Sequence, residues 1–124
     1  MKKITVATEK KKQVVDITDQ VEASLPAGEG VVNLFLTHTT AALTTADLDP
    51  GTDLDYLDAY DSMVPKLKYR HPHDPSHVGD HIMSTLIGTS LSLPYKGGSL
   101  ILGTWQRIVL IEFNGPRERE ILIS

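Results

Sequence analysis

The sequence predicts one α+β domain over residues 1–124, a mostly antiparallel β-sheet or sandwich carrying two or three short helices. Three observations support this. Strand-like alternation occupies both ends of the chain, helix-period segments are confined to the middle, and glycine and proline punctuate the transitions.

The elements follow in order. Alternation predicts strands over 2–8 and 12–17, joined as a hairpin by the basic turn Glu9-Lys10-Lys11-Lys12. A short helix follows, capped by Asp16 or Thr18 and ended by Pro26 and Gly28. The stretch GVVNLFLTHT, 30–39, is the first strongly apolar strand, with Val32, Leu34, Leu36 and His38 on one face. After LTTADLDPG comes the clearest helix, Asp53 to Val64. Thr52 and Asp55 supply a shortened capping box, Leu54, Leu57, Tyr60 and Val64 form the inner face, and Pro65 closes it. A second helix over 79–87 stops at Gly88. The remainder reads as strands: TSLSLP, a turn at Lys96-Gly97-Gly98, SLIL, WQRIVLIEF and REREILIS.

Composition bounds the chemistry. The chain has no cysteine, so any metal must be held by His, Asp or Glu, and a reducing cytoplasm is the expected setting. No run approaches the roughly 20 apolar residues of a membrane helix, so no membrane association is expected. The net charge of −4 is unevenly spread. Residues 1–12 hold five lysines and one glutamate, and residues 13–65 hold ten acids and no lysine or arginine. No basic stripe suited to nucleic acid results.

Four of the five histidines, His71, His73, His77 and His81, lie within HPHDPSHVGDHI. His73, His77 and His81 are spaced by four, but Pro75 disfavours helical geometry at Asp74 and so separates His73 from any helix holding the other two. On a helical wheel with His81 at zero, Ile82, Met83, Leu86 and Ile87 lie between about 100° and 240°, so His81 faces away from the core. His73 and His77 read as solvated turn residues and His81 as either exposed or a ligand. His38 reads as either a hydrogen-bonded residue at a strand end or a ligand. Trp105 is expected to pack.

HTTAALT (38–44), YRH (69–71), DHIMSTLIGTSLSLP (80–94) and GTWQRIVLIEFNGPR (103–117), in that order, resemble the YjbQ-like family, whose members are often named secondary thiamine-phosphate synthases. The resemblance covers most of residues 30–124. It implies a YjbQ-like fold, a homotrimer and a divalent metal, zinc first, on His38, His71 and His81, with an open position for water or substrate. Magnesium accompanying a diphosphate is the alternative. His73 and His77 match no family position and are expected to be bystanders. Thr39 and Thr40 are carried over as donors to an anionic ligand, and Gln106 as a catalytic donor and acceptor. Glu112, in phase with Ile108 and Leu110, is expected inside with a raised pKa as general base, or else paired with Arg117 or Arg119. Two departures stand out: LTTADLDP offers Ala46 and Asp47 where the family has Asn-Glu, and Arg107 replaces a usual glycine, to hold a phosphate or sit on the surface.

The implied activity joins pyrimidine methyl diphosphate to thiazole phosphate. The alternatives are metal-assisted hydrolysis of a small phosphorylated metabolite, with Glu112 as base, and a trimer that binds metal or metabolite without turnover.

Overall fold

The computed structural model describes residues 1–72 and 74–124; the expectation for His73 lies outside the described residues. The fold is α+β, built from strands β1 (Lys2–Ala7), β2 (Gln13–Asp16), β3 (Glu29–Leu36), β4 (Ala41–Ala46), β5 (Ser90–Lys96), β6 (Ser99–Leu100), β7 (Arg107–Glu112) and β8 (Glu118–Ile123). Helices α1 (Thr18–Glu22), α2 (Thr52–Met63) and α3 (Val78–Ile87) complete it, with a 3-10 turn at Pro75–His77 before α3. No helix among the described residues is long and apolar enough to cross a membrane.

The strands form two antiparallel sheets, ordered β1-β8-β3-β5-β6 and β2-β7-β4. The expected hairpin of the first two strands does not form. β1 pairs with β8, Lys2 opposite Ile123, while β2 pairs with β7, Gln13 opposite Glu112. The lysine turn instead carries the chain from one sheet to the other, so that Ile4 and Val6 enter the interior between them.

That interior is the main core. It joins Val32, Leu34 and Leu36 of β3 to Ile108 and Leu110 of β7, each at most 1% exposed. Each such side chain contributes about 1.5–3 kcal/mol on burial. A second cluster lies on the opposite face of the smaller sheet, where Ala42, Val109, Ile111 and Phe113 meet Leu57, Tyr60 and Val64 of the α2 segment and Met83 and Ile87 of α3. β7 is therefore covered on both faces, which explains its unbroken run Ile108-Val109-Leu110-Ile111.

Several local expectations are corrected. β4 is absent from the sequence-based elements because Ala41-Ala42-Leu43-Thr44-Thr45-Ala46 carries little alternation; it forms because β7 supplies a full antiparallel partner. Thr52 is the first residue of α2 rather than its cap, and no side chain caps that end; Gly51 turns the chain with φ +88°. Leu54 is 59% exposed and Leu86 68%, so the buried faces of α2 and α3 are narrower than their patterns suggested. Gly88 does end α3, at φ +101°. Trp105 does not pack: it is 72% exposed in the turn before β7.

Candidate functional site

His38 stands two residues beyond β3, continuing the inward phase of Val32, Leu34 and Leu36. Its Nε2 accepts the backbone N–H of Glu120 at 2.8 Å. An accepting Nε2 carries no proton, so the neutral ring carries it on Nδ1 and offers a donor there. Burial lowers the His38 pKa, and the positive charge of Arg119 adds to the effect. Protonation would also cost the Glu120 bond. His38 is thus a neutral ring of fixed tautomer.

His81, in the first turns of α3, is held from the other side. Its Nδ1 lies 3.0 Å from the Thr39 carbonyl. A carbonyl only accepts, so Nδ1 is protonated and Nε2 of the neutral ring has the free lone pair. Ser84, one turn on, donates to the Ala41 carbonyl at 2.7 Å and fixes α3 against β4. His38 and His81 wall two adjoining recesses that also share Thr37 and Thr39. The larger, about 670 Å³, extends toward Phe35 and Gly88. The smaller, about 360 Å³, is closed by Thr40, His77, Asn114, Arg117 and Arg119. One ring presents a donor and the other an acceptor.

The three histidines expected as a metal set are brought near one another: His38 and His81 wall the same recesses, and His71 lies beside His81. Ligation needs in-plane nitrogen lone pairs converging on one ion at about 2.0–2.1 Å. The His71 and His81 rings lie side by side, with centroids 5.1 Å apart and planes 18° from parallel, a separation that two imidazoles on one ion would also show. The Nε2 lone pair of His38 is already committed to Glu120. Among the described residues no group of three His, Asp or Glu side chains is gathered to hold an ion.

Beneath the smaller recess lies a buried ion pair. Arg119 and Glu112 are 1% and 0% exposed. Arg119 Nε donates to both Glu112 oxygens at 2.9 and 3.1 Å, and Nη2 also meets Oε2. The same Nη2 donates to the Thr40 hydroxyl at 2.8 Å and carbonyl at 3.1 Å. Thr8 donates to Glu112 Oε1 at 2.7 Å. Burial alone would raise the Glu112 pKa, but these hydrogen bonds and the Arg119 charge outweigh it and hold the carboxyl below its ordinary value. The expectation of a raised pKa and a general base at Glu112 is therefore corrected: its lone pairs serve Arg119. The pair anchors the Thr39–Thr40 segment from which His81 is oriented.

Other expected residues lie elsewhere in the chain. Gln106 is at the far end of the β4–β7 pairing from Thr40. Its Oε1 accepts Gly103 N–H and its Nε2 donates to Thr45, both at 3.0 Å. Arg107 is a surface ion pair with Asp16 at 2.8 Å and Asp19 at 3.5 Å, and it shares a small recess with Asp47 and Trp105. His77 lines the smaller recess, with Nε2 3.2 Å from Asp74. Sequence reasoning missed Asn114 and named Arg117 and Arg119 only as alternative partners of Glu112; Arg119 is the one that pairs, and Arg117 lines the recess. A signal was present: Arg119 is in phase with Ile121 and Ile123, and a charge in phase with a buried row marks an internal pair.

Comparison with known proteins bears on the same chain. Residues 2–124 match the family described as UPF0047 protein YjbQ-like. A UPF0047 protein of Archaeoglobus fulgidus is 38% identical, over 98% of this chain and 97% of its own. The UPF0047 protein YugU of Bacillus subtilis is 34% identical over 100% and 97%. Among solved structures, a conserved hypothetical protein of Thermus thermophilus superposes with TM-score 0.91 at 35% identity, covering 100% of this chain and 98% of that one. A YjbQ/UPF0047 protein of Clostridium acetobutylicum does so with TM-score 0.88 at 31% identity, covering 100% and 98%.

Proposed function

We propose, from the premise that this chain belongs to the YjbQ-like UPF0047 family, that the His38–His81 recesses bind a small phosphorylated metabolite and carry out acid–base chemistry on it. The single observation that carries this reading is the complementary locking of the two rings, His38 by the Glu120 amide and His81 by the Thr39 carbonyl. His81 Nε2 takes the proton of a bound nucleophile. The His38 Nδ1–H, the hydroxyls of Thr39 and Thr40, and the exposed guanidinium of Arg117 hold phosphoryl oxygens. Arg117 Nε is bonded to the Asn114 carbonyl at 2.9 Å, so its remaining N–H groups point elsewhere. No step is routed through a metal.

The condensation of pyrimidine methyl diphosphate with thiazole phosphate is the second reading, favoured by the same set of anion donors. There the thiazole nitrogen forms the new C–N bond, and diphosphate leaves with the C–O electron pair. A neutral thiazole nitrogen has no proton to lose, so this reaction needs the donors but no base. The two readings therefore separate at His81. Product formation would be followed for thiazole phosphate hydrolysis and for the condensation, in wild type, His81→Gln and Arg117→Gln. Hydrolysis lost in both variants supports the acid–base reading; condensation lost only in Arg117→Gln supports the second. Binding of both compounds without turnover would leave a metabolite-binding protein, and binding unaffected by Arg117→Gln would remove the proposal. In the same reading the protein works in the cytoplasm as a homotrimer, tested by its mass in sedimentation.

A further inference from the structure

The basic tract Lys10-Lys11-Lys12 is the clearest sequence feature that the histidine recesses leave unused. We propose that the cavity between α2, α3 and this turn is a second ligand site, for a small aromatic anion: a planar ring bearing one carboxylate, sulfonate or phosphate. The cavity measures about 440 Å³ and shares neither His38 nor His81. That volume lies within the roughly 300–1,000 Å³ of small-molecule sites.

The lining is mixed, and its apolar part is polarizable, with Leu57, Tyr60, Met83 and Phe113 beside the charged residues. Phe113 and Met83 are 2% and 3% exposed, and Tyr60 meets Phe113 edge to face at 6.1 Å between centroids. Aromatic faces and a thioether favour a flat ring over an aliphatic chain. The charge sits at the mouth, where Lys11, Lys12 and Lys66 outnumber Asp61 and Asp80. Lys12 Nζ is already fixed, 3.2 Å from Asp80 and 5.6 Å from the Phe113 centroid. Asp80 is only 7% exposed and is neutralised by Lys12, which leaves Lys11 and Lys66 to meet a ligand's charge. An excess of one cation suits a single anionic group, whereas a polyphosphate would be undercompensated.

The probe is 2-naphthoate, with 2-naphthalenemethanol as its neutral counterpart, followed by backbone amide NMR shifts. Naphthoate is expected to move the amides of Leu57, Gly79, Met83 and Phe113, and the neutral alcohol to bind about tenfold more weakly, the scale of a lost charge-assisted contact. The Lys11→Gln/Lys66→Gln double variant alters exposed side chains only, so its spectrum reports an intact fold while its affinity for naphthoate falls by a similar factor. Shifts absent from these four amides, equal binding of the alcohol, or unchanged affinity in the double variant would each overturn the proposal.

Discussion

Replacing Glu112 by Gln keeps the shape of the side chain but leaves Arg119 as a buried charge without a counterion. Breaking one side of a buried pair costs about 3–5 kcal/mol, against a total stability on the order of 5–15 kcal/mol. For 124 residues the unfolding entropy is about 260 cal/mol/K, so the melting temperature should fall by about 10–20 °C. Thermal unfolding followed by circular dichroism measures this directly. The Glu112→Gln/Arg119→Met double variant removes the stranded charge and should recover more than half of the loss. Acid sharpens the test. Because the folded Glu112 pKa lies below its unfolded value, the pair stabilises fully above the unfolded pKa and is lost as pH falls through the folded one. Wild type should therefore lose stability in acid more steeply than Glu112→Gln. A single variant within about 1 kcal/mol of wild type, or a double variant no better than the single, would refute the assignment of Glu112 as the counterion of Arg119.

Three further outcomes follow from the same geometry. In Gly115→Ala a Cβ would run into the Lys10 backbone carbonyl and come within 2.9 Å of Glu112 Cγ and Thr8 Oγ1, so chemical denaturation should show a loss of about 1–3 kcal/mol. The His38 pKa is lowered in the fold, so the unfolded chain takes up the proton first. The His38 contribution is intact above about pH 6.5 and is lost as pH falls through the lower folded pKa, and His38→Gln should flatten the stability profile below about pH 6.5. Trp105→Ala should change stability by less than about 0.5 kcal/mol, because the ring is 72% exposed, and its loss should abolish the intrinsic indole fluorescence.

The sequence conveyed the fold most clearly where period and punctuation agreed. Val32-Leu34-Leu36, the Gly88 stop and the double-glycine turn after Lys96 all appear in the fold as their patterns predicted. It misled where pairing is non-local. The first two strands look like a hairpin because they are adjacent, yet their partners lie about 100 residues away at β7 and β8. β4 has no alternation of its own and depends on β7 for its existence. At the site, His38, Thr39, Thr40 and His81 were identifiable, and the structure brings them together. Glu112 was rightly placed inside, and of its two expected roles, general base or partner of Arg117 or Arg119, the structure shows the pairing with Arg119. The tautomers of His38 and His81 rest on two backbone groups, Glu120 N–H and the Thr39 carbonyl, and backbone direction is invisible in a residue list.

The most direct test is a long-range proton–nitrogen NMR spectrum of the histidine rings, recorded with and without thiazole phosphate. Protonated Nδ1 and bare Nε2 are expected on the neutral rings of both His38 and His81 in the free protein. Both ring patterns should move together on titration, with the response weakened in Arg117→Gln. Rings of the opposite tautomer, or rings that stay unmoved while thiazole phosphate binds, would contradict this expectation.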